Sequence, residues 1–142
     1  MGAQLTPFLM SEDARTQAEF YKSALGGEIR SLTTFGQVPG TPEAAKDKVM
    51  YMELALAGSN TLMMSDSFEP LVPGSPLSLS LTYDSEAEAR EAFANLQQGG
   101  QMKYPFELQP WGAYFGEVVD RYGVLWQILK PVQQPAYAEQ EG

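Results

Sequence analysis

The chain has 142 residues, 44% of them apolar, and a formal net charge of -9 with no basic cluster, which fits one globular domain or two small halves sharing a core. That charge repels phosphate backbones and anionic bilayers, so neither nucleic acid nor a membrane is expected as partner, and no apolar run approaches the roughly 18 residues that span a bilayer. Cysteine and histidine are both absent, which removes disulfides, thiolate nucleophiles, the commonest transition-metal ligand and every histidine-based triad.

The N-terminal MGAQLTPFLMSED lacks the basic flank and apolar block of a signal peptide, so a cytoplasmic protein is expected. QLTPFLM (4–10) reads as a strand, with Pro7 marking its edge or start. Ser11 or Asp13 then caps a helix to about Leu25, with Ala14, Ala18, Tyr21 and Leu25 at helical spacing, and Gly26-Gly27 ends it. EIRSLTTFG (28–36) is a strand, and 36–48 is a Pro-containing loop long enough to be mobile or functional. VMYMELALAG (49–58) and NTLMMSDSF (60–68) form a hairpin, followed by a Pro- and Gly-dense linker at 69–76. PLSLSLTYD (76–84) alternates as a strand should, and Ser85 opens a helix (85–98) with Glu86 and Glu88 at its positive end and Gly99-Gly100 beyond it. QMKYPFELQ, AYFGEVVD and VLWQILK supply three further strands before a polar tail at 132–142, frayed or lying on a partner subunit.

The order strand, helix, three strands thus occurs twice. A sequence echo accompanies it: Phe20 stands ahead of Gly26-Gly27 as Phe93 stands ahead of Gly99-Gly100. The expected class is α+β, with two βαβββ modules at about 4–68 and 77–131 in one domain.

Several side chains interrupt the apolar pattern. Glu53 falls opposite Met50, Met52 and Leu54, and Glu117 in FGEVVD raises the same question. A carboxylate unpaired among apolar groups costs several kcal/mol, so each is solvated, paired or binding something; if inward-facing, they are the acid/base candidates. Val124, Trp126 and Ile128 share one face, and Leu125, Gln127 and Leu129 the other. Trp126 reads as core, while the Gln127 amide needs partners, either structural or on a ligand. Trp111 and Tyr114 flank Gly112 at a strand entrance, where aromatics cover a pocket mouth or pack on a surface. Asp120-Arg121-Tyr122-Gly123 reads as a turn. Leu77, Leu79, Leu81 and Tyr83 are expected beneath the second helix, with Ser78, Ser80 and Thr82 on the opposite face.

AEFYKSALGG, TLMMSD, PLSLSLTYD and WGAYFGEVVDRYGVLWQI together resemble the PhnB-like branch of the vicinal oxygen chelate superfamily, which includes glyoxalase I, bleomycin-resistance proteins and extradiol dioxygenases. The likeness covers 4 to about 131 and implies modules curled around a concave cavity, helices outside, often completed in a homodimer. It turns the hydroxyl row Ser78, Ser80, Thr82 toward that cavity, where the strand alone would leave it in solvent. Carried over residue by residue, the metal positions of such proteins fall on Thr6, Met63, Ser78 and Gln127. This set has no formal charge and one common ligand type, so neither metal nor other cofactor is expected. The resemblance thus implies a cavity for a small apolar or aromatic molecule, lined by Thr6, Phe8, Met63, Ser78, Ser80, Trp111, Tyr114 and Gln127. The rival expectation is a metal-dependent lyase, isomerase or dioxygenase using Glu53, Asp66 or Glu117 as substitute ligands; a third is a structural dimer with a closed core. Relatives carry a ubiquinone methyltransferase label, yet no Gly-rich strand-to-helix loop for a methyl-donor nucleotide is present.

Overall fold

The computed structural model describes residues 2–72 and 77–132. The expected linker residues 73–76 and tail residues 133–142 lie outside the described residues. The chain divides into two compact units, Met1–Val72 and Pro73–Gly142. Each is a βαβββ module with a four-stranded mixed sheet and one helix, so the class is α+β as expected.

In the first unit β1 (Phe8–Ser11), α1 (Ala14–Leu25), β2 (Gly27–Thr34), β3 (Val49–Leu56) and β4 (Asn60–Asp66) form a sheet of order β1-β4-β3-β2. β1 and β4 run parallel and the other pairs antiparallel. β1 starts later than its sequence implies. Asp13 is the helix cap, its carboxylate accepting from Thr16 N. Ser11 instead ends β1 and donates through Oγ to Gln17 Oε1 at 2.6 Å; Gln17 donates onward to the Tyr21 hydroxyl at 2.9 Å. This chain of hydrogen bonds lets two buried polar side chains sit under the helix without an orphaned donor. Ala14, Ala18, Tyr21 and Ala24 are buried on α1, which packs on the sheet face formed by Met52, Leu54, Leu62 and Met64.

Asp66, at the end of β4, is buried and fastens three elements at once. One carboxylate oxygen accepts from Ala14 N at 2.7 Å, at the start of α1, and the other from Val49 N at 2.7 Å, at the start of β3. The 36–48 loop is also tied down. It holds two short 3-10 turns, Phe35–Gln37 and Glu43–Ala45, is closed at its base by Phe35 N to Lys48 O and Gly36 N to Lys46 O, and is clasped by Thr41 Oγ1 on the Phe35 carbonyl at 2.6 Å.

In the second unit β5 (Leu79–Thr82), α2 (Glu86–Gln97), β6 (Gln101–Gln109), β7 (Ala113–Val119) and β8 (Leu125–Pro131) repeat the arrangement in the order β5-β8-β7-β6, with β5 and β8 parallel. Ser85 caps α2, accepting from Glu88 N. Ala89, Ala92, Phe93 and Leu96 pack on the face carrying Val118, Trp126 and Ile128. Gly116 permits the approach: a Cβ there would lie 2.8 Å from both Phe106 Cα and the Phe93 ring. Asp120 takes the turn position expected of it and does more. It accepts from Tyr122 N at 2.8 Å, Val124 N at 3.1 Å and the Trp126 indole N–H at 2.9 Å, which explains how a buried tryptophan keeps its donor satisfied.

The Gly-Gly echo has a common structural cause. Gly26 and Gly99 adopt φ of 78° and 75°, the left-handed turn that ends each helix. Gly27 and Gly100 then lie so close to the carbonyls of Ala55 and Val119 that a Cβ would collide with them. One expectation fails at the opposite edge. Leu77 is 84% exposed and precedes β5, while Leu79, Leu81 and Tyr83 are half-buried. The alternation of 77–83 is real, but the ladder to β8 begins at Leu79, and Leu77 stands ahead of it.

Two outcomes follow from this packing. Gly116→Ala destabilises the protein by about 1–3 kcal/mol through overpacking against Phe93 and Phe106, read from urea denaturation. Burial, aided by the Glu88 carboxylate, raises the Tyr83 phenol above its ordinary 10.0. The folded chain therefore keeps that proton to higher pH than the unfolded chain. The resulting stability is whole below 10.0 and is lost as pH rises through the raised value. Tyr83→Phe accordingly shows a shallower alkaline loss of stability than the wild type, measured as the urea midpoint against pH.

Candidate functional site

Each sheet has one helix, and alternation along the strands assigns every other residue to the helix-free face. In the second unit the ladders align Ser80, Gln127, Glu117 and Tyr104 in one row across that face. Thr82, Leu129, Phe115 and Glu107 form the next row. Leu125 and Val119 are paired on the same face. Leu125, Gln127, Leu129, Phe115, Glu117 and Val119 are all half-buried, so the middle of the surface is apolar around the Gln127–Glu117 pair.

That polar pair is hydrogen-bonded internally. Gln127 Nε2 donates to Glu117 Oε2 at 3.2 Å. Lys103 falls where the β6–β7 register shifts, between Met102 and Tyr104. Its Nζ stands 4.0 Å from Glu117 Oε1, and only 13% of the Glu117 side chain is exposed. At that separation the ion pair is electrostatic but not a direct hydrogen bond.

Trp111 and Tyr114, expected together at one mouth, are separated by the pleat. Trp111, 61% exposed in the turn between β6 and β7, sets its ring edge-on to Phe115 at 5.9 Å. Tyr114 lies on the helix side, stacked on Phe106 at 5.8 Å with the Arg90 guanidinium over both rings.

The first unit repeats the row with different chemistry. Phe8, Met63, Glu53 and Ser31 align across its helix-free face. Arg30 sits at a register shift of β2, its guanidinium 3.9 Å from Glu53 Oε2. The Tyr51 hydroxyl donates to Met63 Sδ at 3.9 Å. Glu53 and Glu117 thus hold equivalent positions, each facing a cation from the neighbouring strand. Met63 stands where the second unit has Gln127, and Phe8 where it has Ser80.

The parallel ladders align Phe8 with Met63 and Ser80 with Gln127. Thr6 is half-buried ahead of β1, and Ser78 is exposed ahead of β5; neither belongs to these rows. Asp66 is on the helix side of its sheet, opposite Glu53, with each carboxylate oxygen accepting a backbone N–H. Among the described residues no group of three or more His, Cys, Asp or Glu is placed to hold a metal ion. The residues that sequence reasoning missed are Arg30 and Lys103. Their signal was present: each is the third residue after its Gly-Gly pair.

A family model described as 3-demethylubiquinone-9 3-methyltransferase matches residues 3–129. Protein PA1353 of Pseudomonas aeruginosa is 34% identical, superposes with a TM-score of 0.79, and the match covers 92% of this chain and 98% of that one. A PhnB protein from Bacillus cereus is 29% identical with a TM-score of 0.76, covering 90% and 99%. The fosfomycin resistance protein FosX of Listeria monocytogenes shares the fold at 11% identity, with a TM-score of 0.67 and coverage of 94% and 95%.

The Gln127–Glu117 hydrogen bond is measurable. A double-mutant cycle with Glu117→Ala and Gln127→Leu, followed by urea denaturation, yields a coupling of about 0.5–1 kcal/mol.

Proposed function

The chain belongs to the family described as 3-demethylubiquinone-9 3-methyltransferase, the PhnB-like branch of the vicinal oxygen chelate fold, and from that premise we propose that it binds a small, largely apolar or aromatic molecule without a catalytic metal. The site is the helix-free face of the second unit. The observation that carries this reading is the half-buried apolar set Phe115, Leu125 and Leu129 beside an exposed Trp111. Such a surface gains from covering an apolar ring. Gln127 and Glu117 supply polar contacts, and Ser80 is small enough to leave space above the sheet.

Methyl transfer, named in the family description, has no support in the strand-to-helix connections. Glu12-Asp13 and Tyr83-Asp84-Ser85 contain no glycine, whereas nucleoside donors pack against glycine-rich turns at that place in a fold. Fold and family name alone do not assign a reaction.

The test uses tryptophan fluorescence, because one indole is exposed and the other buried. Titrating naphthalene derivatives into the wild type is expected to quench saturably. The quenching disappears in Trp111→Phe, while the melting temperature of both proteins rises by about 5 °C at saturation. Prior dialysis against a chelator leaves the binding unchanged. Stoichiometric zinc, nickel, manganese or iron in protein purified without chelators would overturn the metal-free reading, and failure of every aromatic probe to bind would overturn the rest.

A further inference from the structure

We propose that the group Lys103, Glu117 and Gln127 selects a hydroxylated aromatic ligand, a phenol in chemical class, by letting one hydroxyl oxygen bridge Lys103 and Glu117. The inference rests on the reading of this face as an aromatic-binding surface and adds the polar group that the ligand must carry. It starts from spacing. Lys103 Nζ and Glu117 Oε1 are 4.0 Å apart, too far for a direct hydrogen bond and right for one atom between them. An oxygen about 2.7 Å from the carboxylate and about 2.9 Å from the ammonium sees the two at an angle of roughly 90°, about 20° below the tetrahedral angle between a hydroxyl hydrogen and a lone pair, a bend that hydrogen bonds tolerate. The hydroxyl donates to Glu117 and accepts from Lys103. An ether can only accept, an ammonium ligand can only donate, and a carboxylate ligand would be repelled by Glu117.

Three further features fit the same ligand. Gln127 occupies Glu117 Oε2, which orients the carboxylate so that Oε1 is the oxygen facing Lys103. The Glu117 side chain is 13% exposed, so water competes weakly for that oxygen and a hydrogen bond to it is strengthened. Phe115 precedes Glu117 by two residues on the same strand face, with Trp111 edge-on to it, which places an aromatic surface beside the bridging point. In the first unit Arg30 and Glu53 are similarly spaced at 3.9 Å, but Met63 stands in place of the amide and 31% of the Glu53 side chain is exposed. That pair is wetter and less oriented, so the selectivity is assigned to the second unit.

The experiment is calorimetric titration of the full chain with 2-naphthol and with 2-methoxynaphthalene, whose added methyl removes the ability to donate while leaving the oxygen able to accept. The naphthol is expected to bind about tenfold more tightly. In Lys103→Met and in Glu117→Gln the two compounds bind within about twofold of each other, and Lys103→Arg retains most of the preference. Circular dichroism confirms that each variant is folded. If the ether matches the naphthol in the wild type, or if Lys103→Met keeps the preference, the bridging role is refuted while the aromatic-binding reading stands. If neither compound binds, both fall together.

Discussion

The structure depends on a geometric shortage: each four-stranded sheet has one helix, and one helix covers one face. Strand alternation therefore divides every sequence segment into residues that must be apolar and residues free to carry chemistry. Met52, Leu54, Leu62 and Met64 in one unit, and Val118, Trp126 and Ile128 in the other, are drawn under the helices. A slip of one residue in β3 or β7 would bring Glu53 or Glu117 beneath a helix, where an unpaired carboxylate costs several kcal/mol. Close contacts reinforce that register, since Gly27, Gly100 and Gly116 each occupy a place where a Cβ would strike a neighbouring strand.

The carboxylates divide by the same logic. Asp66 and Asp120 are buried because backbone and indole N–H groups converge on them, two on Asp66 and three on Asp120. Their oxygens are engaged in holding strand and helix ends together. Glu53 and Glu117 are held differently, each facing a single cation at about 4 Å. Charge alone does not separate these roles in an acidic chain; the number of converging donors does.

The two units show how one scaffold carries two surfaces. Glycine turn, register shift, cation and carboxylate recur in both. The side chains beside the carboxylate change from Phe8 and Met63 to Ser80 and Gln127. These are positions on the face away from the helix, where substitution alters the lining without disturbing the packed core. Such a division suits a fold found in proteins as distant as FosX, at 11% identity.

The sequence by itself determined the element order, the Ser85 cap of the second helix, the glycine stops and the opposition of Trp126 to Gln127. Those features depend on residues within a few positions of one another, where spacing and backbone preference act directly. The side of Tyr114 was legible too, since it alternates with Phe115 and so falls opposite Glu117, although its place near Gly112 suggested a pocket mouth shared with Trp111. Tertiary structure alone decided that Phe8 rather than Thr6 meets Met63, that Ser80 rather than Ser78 meets Gln127, and that Leu77 stays exposed. It also decided that Asp66 closes on Ala14 and Val49, far away in the chain. The reason is range: a parallel ladder joins strands separated by a whole module, and local periodicity carries no information about where such distant segments align.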